Sequence, residues 1–207
     1  MNRFAIDSLA KPQSRRAFLA VGALGGTSAL LAGCGLAAIA PAAASGSRGK
    51  ASLYLTIATP DMLGTDDMPA LIPAFPSIPA HTRVRVEIVN FDDATPLTAA
   101  LEQFAHVKGT VGGTMQVGAL DEKDPNSSAA SNKVKALDPQ KVSHTLTIDT
   151  LGINIPLAAK SRTVFEIETG APGEYAWRCN DPCGKGGGGW GGAMAASGYM
   201  MGKLTLV

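Results

Sequence analysis

The 207-residue chain is poor in aromatic residues (5%) and in charge (17% Asp, Glu, Lys and Arg). No basic patch and no interleaving of basic with aromatic residues is visible, so nucleic acid is not an expected partner. No Ser-His-Asp constellation and no paired carboxylates stand out, and the chain is not expected to be an enzyme on its own. The run Gly186–Gly189 lacks the following helix and the Lys-Ser/Thr register of a phosphate loop; its expected use is close backbone approach. Against these absences stand 24 glycines and 13 prolines, which favour a loop-rich β protein over a helical bundle. A hydrophobic content of 45% is enough to bury one good core, so one domain is expected.

Charge is also missing from one long stretch. From Ala17 through Leu31 no ionisable residue occurs, and Ser14-Arg15-Arg16-Ala17-Phe18-Leu19 opens that run. A charged segment, an apolar segment and small residues behind it define a secretory signal. The paired arginines resemble the twin-arginine export signal, a receptor-read address. Leu31-Ala32-Gly33-Cys34 resembles a bacterial lipobox, which implies that Cys34 is acylated and becomes the mature N-terminus. Cleavage in Ala42-Ala43-Ala44, or retention as a membrane span, are the alternatives; the length suits a span, but the glycines and the threonine make it a poor one. Residues 1–34 are thus read as a signal segment and 35–50, rich in Ala, Ser and Gly, as a flexible tether. The expected location is the outer face of the cytoplasmic membrane, held through lipid. Without Arg3, Asp7, Lys11, Arg15 and Arg16 the chain keeps 14 basic and 16 acidic residues, close to neutral.

From residue 51 onward, strand patterns dominate. Arg83-Val84-Arg85-Val86-Glu87-Ile88-Val89 is the cleanest period-two segment, with Val84, Val86 and Ile88 on one face. Ser52–Ile57, Thr145–Ile148, Thr163–Ile167, Tyr175–Trp177 and Lys203–Val207 follow the same rule. Short strands separated by Gly and Pro turns predict an all-β fold, an antiparallel Greek-key β-sandwich over residues 51–207. Residues 92–141 read as an insertion with a short helix (Leu97–Phe104), a turn or hairpin at Gly109–Gly113, and an exposed polar loop near Glu122–Ser128.

The remaining two cysteines lie together in Cys179-Asn180-Asp181-Pro182-Cys183, followed by the glycine run, Trp190 and Met194, with His144 at the start of an earlier strand. Outside the cytoplasm such a pair either closes a disulfide or holds metal. Thiolate and thioether select Cu(I) and Zn, and imidazole suits copper, so this set of donors is soft enough for copper. Met200 and Met201 compete with Met194 as the sulfur donor, and any of the three can instead fill core space. Trp190 either shields the site or lies on the surface. No histidine follows Cys183.

His144-Thr145-Leu146-Thr147-Ile148, Leu151-Gly152-Ile153, Pro172-Gly173-Glu174-Tyr175 and Cys179-x-x-x-Cys183-Gly184 together resemble the copper-binding cupredoxin domain of cytochrome c oxidase subunit II. The resemblance covers about Ser143 to Val207, with Arg83–Asn90 a weaker extension. It implies a cupredoxin-like fold in which Cys179 and Cys183 bridge a dinuclear copper centre, His144 is a ligand, the carbonyl of Asp181 is another and Met194 supplies the thioether. The family's second histidine falls at Gly187 here, and Met194 stands eleven residues past Cys183 where the family has seven. His106, on the insertion, could supply an imidazole; otherwise the site holds a single copper. His81 is expected in solvent.

Three functions follow as expectations. The first is a lipid-anchored copper protein that carries electrons as a donor to, or subunit of, a respiratory oxidase. The second is Cu(I) delivery. The third is a metal-free interaction module stapled by Cys179–Cys183, a loop so short that closing it gains little entropy but rigidifies it locally.

Overall fold

The computed structural model describes residues 51–121, 123–124 and 131–207. The signal segment, Cys34, the tether and residues 122 and 125–130 of the polar loop lie outside the described residues. Among the described residues no helix is long and apolar enough to cross a membrane.

The strands, in chain order, are β1 (Ala51–Ala58), β2 (Ala70–Ile72), β3 (Ser77–Ile78), β4 (Arg83–Asn90), β5 (Met115–Ala119) and β6 (Ser131–Val134). After them come β7 (Val142–Ile148), β8 (Ile153–Ala158), β9 (Ser161–Glu168), β10 (Gly173–Arg178) and β11 (Met201–Leu206). They form two sheets, one ordered β2-β1-β4-β9-β5-β6 and the other β3-β11-β10-β7-β8.

Period-two burial explains why these segments are strands. In β4 the buried residues are Val84, Val86, Ile88 and Asn90; in β9 they are Ser161, Thr163, Phe165 and Ile167. The two strands pair antiparallel, with Val86 opposite Phe165 and Ile88 opposite Thr163. Their apolar residues meet Leu146, Ile155, Trp177, Leu204 and Leu206 of the second sheet in one continuous core. Strands β7 and β8 form a hairpin, β9 crosses to the first sheet, and β10 returns beside β7, which is the Greek-key order. The Tyr175 hydroxyl donates to the Ala171 carbonyl at 2.8 Å and pins the turn that feeds β10.

The sandwich expected from the sequence is present, with two differences. Two neighbouring pairs, β1 with β4 and β3 with β11, run parallel. The chain between β1 and β4 visits the other sheet as β3 before returning, and this crossover permits a parallel neighbour. Residues 92–141 are also more than an excursion, because β5 pairs with β9 and β6 with β5, widening the first sheet. Both strands were illegible: Met115-Gln116-Val117-Gly118-Ala119 contains a glycine, and Ser131-Asn132-Lys133-Val134 is almost wholly polar. The expected helix is a 3-10 helix at Ala99–Ala105, and Val111–Gly113 forms a second short turn of that kind. A four-residue α-helix, α1 (Pro60–Leu63), starts at a Thr59 cap and stops at Gly64 in the left-handed conformation.

The path of residues 92–141 matters for the site because it covers β7. All seven residues of β7 are buried, whereas a strand covered on one face alternates. Leu97 and Ala105 pack with Val142 in a small second cluster.

Candidate metal centre

His144 sits near the start of β7, where the pairing with β8 shifts register between Val142 and His144. Its side chain is fully buried. Nε2–H donates to Asp92 Oδ2 at 3.0 Å, while Nδ1 is buried without a hydrogen-bond partner. A carboxylate only accepts, so Asp92 keeps a proton on Nε2, and Nδ1 is the nitrogen that can offer a lone pair once the ring is neutral. A ring held in this way by a carboxylate is the usual outer support of a metal-ligating histidine.

Cys179 follows directly on β10 and is 2% exposed. Its backbone N–H donates to the Met200 carbonyl at 2.9 Å, tying the start of the ligand loop to its end. A ring nitrogen of His144 and the sulfurs of Cys179 and Cys183 lie within 4.8 Å of one another. The two thiols are free, with sulfurs 3.8 Å apart. Met194 brings its sulfur to 3.4 Å from Cys183 Sγ. One imidazole and two thiols therefore cluster, with the Met194 thioether beside Cys183.

The loop reaches this arrangement through its own backbone. Gly184 N–H donates to Gly189 O at 2.7 Å, and Lys185 and Gly191 exchange hydrogen bonds of 3.0 and 2.8 Å. At Gly189, φ is +72°, and a Cβ would sit 2.1 Å from the Pro182 carbonyl oxygen. Only glycine fits there. Close backbone approach over the site, expected for this run, is what the loop displays.

Charge distribution in the metal-free centre follows from these contacts. Burial alone would push the Cys179 thiol up, but the Cys183 thiol, the neighbouring His144 imidazole and the Thr145 N–H hold it well below the ordinary thiol range. Thr145 N–H lies 3.3 Å from the sulfur and Asp181 N–H 3.4 Å. Cys183 is pushed up, first because it hydrogen-bonds to Cys179, then by burial and by the Cys179 charge. Burial opposes protonation of His144, but the Asp92 and Cys179 contacts outweigh it and lift the imidazole to about 9. Burial, the largest single influence on Asp92, would push its carboxyl up, but the hydrogen bond and charge of His144, with the Asp93 N–H and the Lys160 charge, together keep it below the usual range. A cation placed among these groups would displace protons from Cys183 and His144.

The sequence-derived site residues fall as follows. His144, Cys179, Cys183 and Met194 converge. The Asp181 carbonyl lies 3.3 Å from Cys179 Sγ and accepts the Cys183 N–H at 2.8 Å. Its carboxylate is fully buried with both oxygens unpartnered, and burial followed by the Cys179 charge raises it to about 8. Met200 is buried against Cys179 and Ala193, whereas Met201 lies on β11 opposite Arg178. His81 and His106 are exposed and belong to no cluster of donors among the described residues. Trp190 is 49% exposed, on the surface of the loop. Sequence reasoning missed Asp92, Thr145 and Met68, the last packed on the Cys179 cluster. Of these only Asp92 carried a signal, as an acidic residue directly behind the strongest strand.

No protein-family model matches the chain, and no curated protein does. Among solved structures it is similar to auracyanin A, a "blue" copper protein from Chloroflexus aurantiacus, at 14% identity over 77% of this chain and 100% of that one, with a TM-score of 0.34. It is similar to a purple cupredoxin from Nitrosopumilus maritimus at 12% identity over 75% and 99%, TM-score 0.29. A multicopper oxidase from Campylobacter jejuni gives 10% identity over 76% of this chain and 29% of that one, TM-score 0.36. These overlaps are shallow, so the chain's own residues have to identify the site.

Proposed function

We propose that this chain is a cupredoxin-type copper protein that carries electrons at the outer face of the cytoplasmic membrane. The observation that carries the reading is the cluster of His144, Cys179 and Cys183, the first two buried, with the Met194 thioether against Cys183 and His144 Nδ1 left without a partner. The residues fit the ion: a soft N/S set carried at one end of a rigid sandwich suits a copper that exchanges one electron with little rearrangement. When bound, copper would supply a one-electron couple; the protein supplies its ligands, with the Asp181 carbonyl a further candidate, and its exclusion from water.

Four side-chain donors suffice for one ion, so a single copper is the stoichiometry we favour. The twin-arginine motif and Cys34 support export and lipid anchoring, which would place the centre beside a redox protein or respiratory oxidase as donor or subunit. A second reading, Cu(I) delivery, draws on a specific observation. Sulfur outnumbers imidazole three to one, because no second histidine reaches the site, and that ratio favours Cu(I).

Copper stoichiometry together with the visible spectrum of the purified protein tests both. One bound copper and an intense visible band on oxidation are expected for the carrier. Tightly bound but colourless copper would replace that reading with delivery, and no copper with no titratable thiol would end both in favour of a disulfide-stapled module.

A further inference from the structure

Asn154, on β8 and 5% exposed, uses every hydrogen-bonding group it has. Its backbone N–H donates to Lys108 O at 3.1 Å, and its carbonyl accepts from Lys108 N at 2.8 Å. Its side-chain Nδ2 donates to the carbonyls of Phe104 at 2.9 Å and His106 at 2.8 Å. Oδ1 accepts the Thr147 hydroxyl at 2.8 Å. The two carbonyls accept only, so the amide has a single possible orientation. Asn154 thus fastens residues 104–108 to the second sheet and commits the one hydroxyl proton of Thr147.

That commitment has a consequence at the centre. With its proton given to Asn154, Thr147 Oγ1 faces Thr145 Oγ1, 3.5 Å away, as an acceptor. Thr145 Oγ1 accepts the Asn180 N–H at 2.7 Å and has one proton to donate. Its available acceptors are Thr147 Oγ1 and Cys179 Sγ, the latter at 4.0 Å. A hydrogen bond on a ligating thiolate draws electron density from the sulfur, weakens its donation to the oxidised ion and so favours the reduced ion.

Resting on the copper reading above, we infer that Asn154 is a positioning residue for the metal centre: through Thr147 it sets how far the Thr145 hydroxyl proton is shared with the Cys179 sulfur. The segment 104–108 thereby has a role, as a brace for a relay that ends on a ligand. Removing Thr145's hydroxyl takes the bond from the sulfur. Removing Thr147's oxygen, or freeing its proton by deleting the Asn154 amide, leaves the sulfur as the stronger acceptor for Thr145.

The test is a set of reduction potentials measured by voltammetry on the copper-loaded protein, with melting curves alongside to establish folding. Thr145→Val should lower the potential and Thr145→Ser should return it toward wild type. Thr147→Val and Asn154→Leu should both raise it. Shifts of one common sign, or unchanged potentials in folded variants, would overturn the inference. If Asn154→Leu does not fold, Thr147→Val carries the same sign test, since it leaves the Asn154 contacts to residues 104 and 106 in place. If wild type takes up no copper, the copper reading fails separately. The relay is then read from the alkylation rate of Cys179 in a metal-free Cys183→Ser background, expected faster in Thr145→Val and slower in Thr147→Val; equal rates would overturn it.

Discussion

The two halves of the centre are held by different physics. His144 sits on a strand buried along its whole length, braced by Asp92 from residues distant in sequence and flanked by side-chain hydrogen bonds among Thr145, Thr147 and Asn154. The sulfur half rides largely on a loop of glycines closed by short backbone hydrogen bonds from Gly184 to Gly189 and between Lys185 and Gly191. One half is positioned by tertiary packing and the other by local backbone geometry. Damage should therefore propagate differently: changes on the histidine side should alter affinity and potential, and changes on the loop should first alter whether the sulfurs are presented at all.

The largest effect is expected on the packed side. His144→Ala should abolish tight copper binding, and Asp92→Asn should weaken it by about 10- to 100-fold, the usual range for losing a ligand's outer support. His81→Ala and His106→Ala should leave it unchanged, as measured by competition against a chromophoric Cu(I) chelator. Equal affinity in wild type and Asp92→Asn would mean that the carboxylate does not orient the ring.

Next comes the loop. Gly189→Ala places a methyl group against the Pro182 backbone at a positive φ, a conformation that costs a non-glycine residue roughly 1–3 kcal/mol before any clash. Gly187→Ala, at the position where the resembling family has a histidine, meets nothing within 4 Å. Thermal melts should show Gly189→Ala destabilised and Gly187→Ala close to wild type; the reverse order would show that the loop is not closed by its own backbone.

A finer distinction separates the methionines. Met194→Leu should shift the reduction potential more than the affinity, because a thioether is a weak ligand that tunes the couple. Met201→Leu should do neither, given its place on β11 outside the sulfur cluster. A potential shift in Met201→Leu but not in Met194→Leu would reassign the thioether.

The last comparison concerns Asp181 and is confined to how stability changes with pH. Its carboxyl is raised to about 8 in the folded protein by burial and by the Cys179 charge, against an ordinary 3.8. The folded state therefore keeps a proton that the unfolded state releases, so this group's stabilisation is present below about pH 4 and is lost as pH rises toward 8. Asp181→Asn removes the dependence. Melts of the metal-free protein should find the variant gaining on wild type between pH 5 and about 8, and a constant difference across that range would contradict the assignment.

The same division governs what could be read from sequence. Strands β4 and β9 were legible because one face of each is solvated and period two survives. The sulfur half was legible because its donors lie within one short stretch, Cys179 to Met194. The packed half was legible only at His144. Asp92 is 52 residues away from it in sequence, Asn154 looks like any polar residue between strands, and β5 and β6 lack alternation strong enough to be seen. Residues 92–141 read as an excursion because what they do is tertiary: they cover β7, extend the first sheet and brace the groups around the thiolate.

The most direct test of the central claim is the copper content of the purified protein beside that of Cys179→Ser, loaded under identical mildly reducing conditions. Stoichiometric copper in the wild type and none in Cys179→Ser is the predicted result. Equal copper in both would show that the metal binds elsewhere and that the convergence of His144, Cys179, Cys183 and Met194 is not a metal centre.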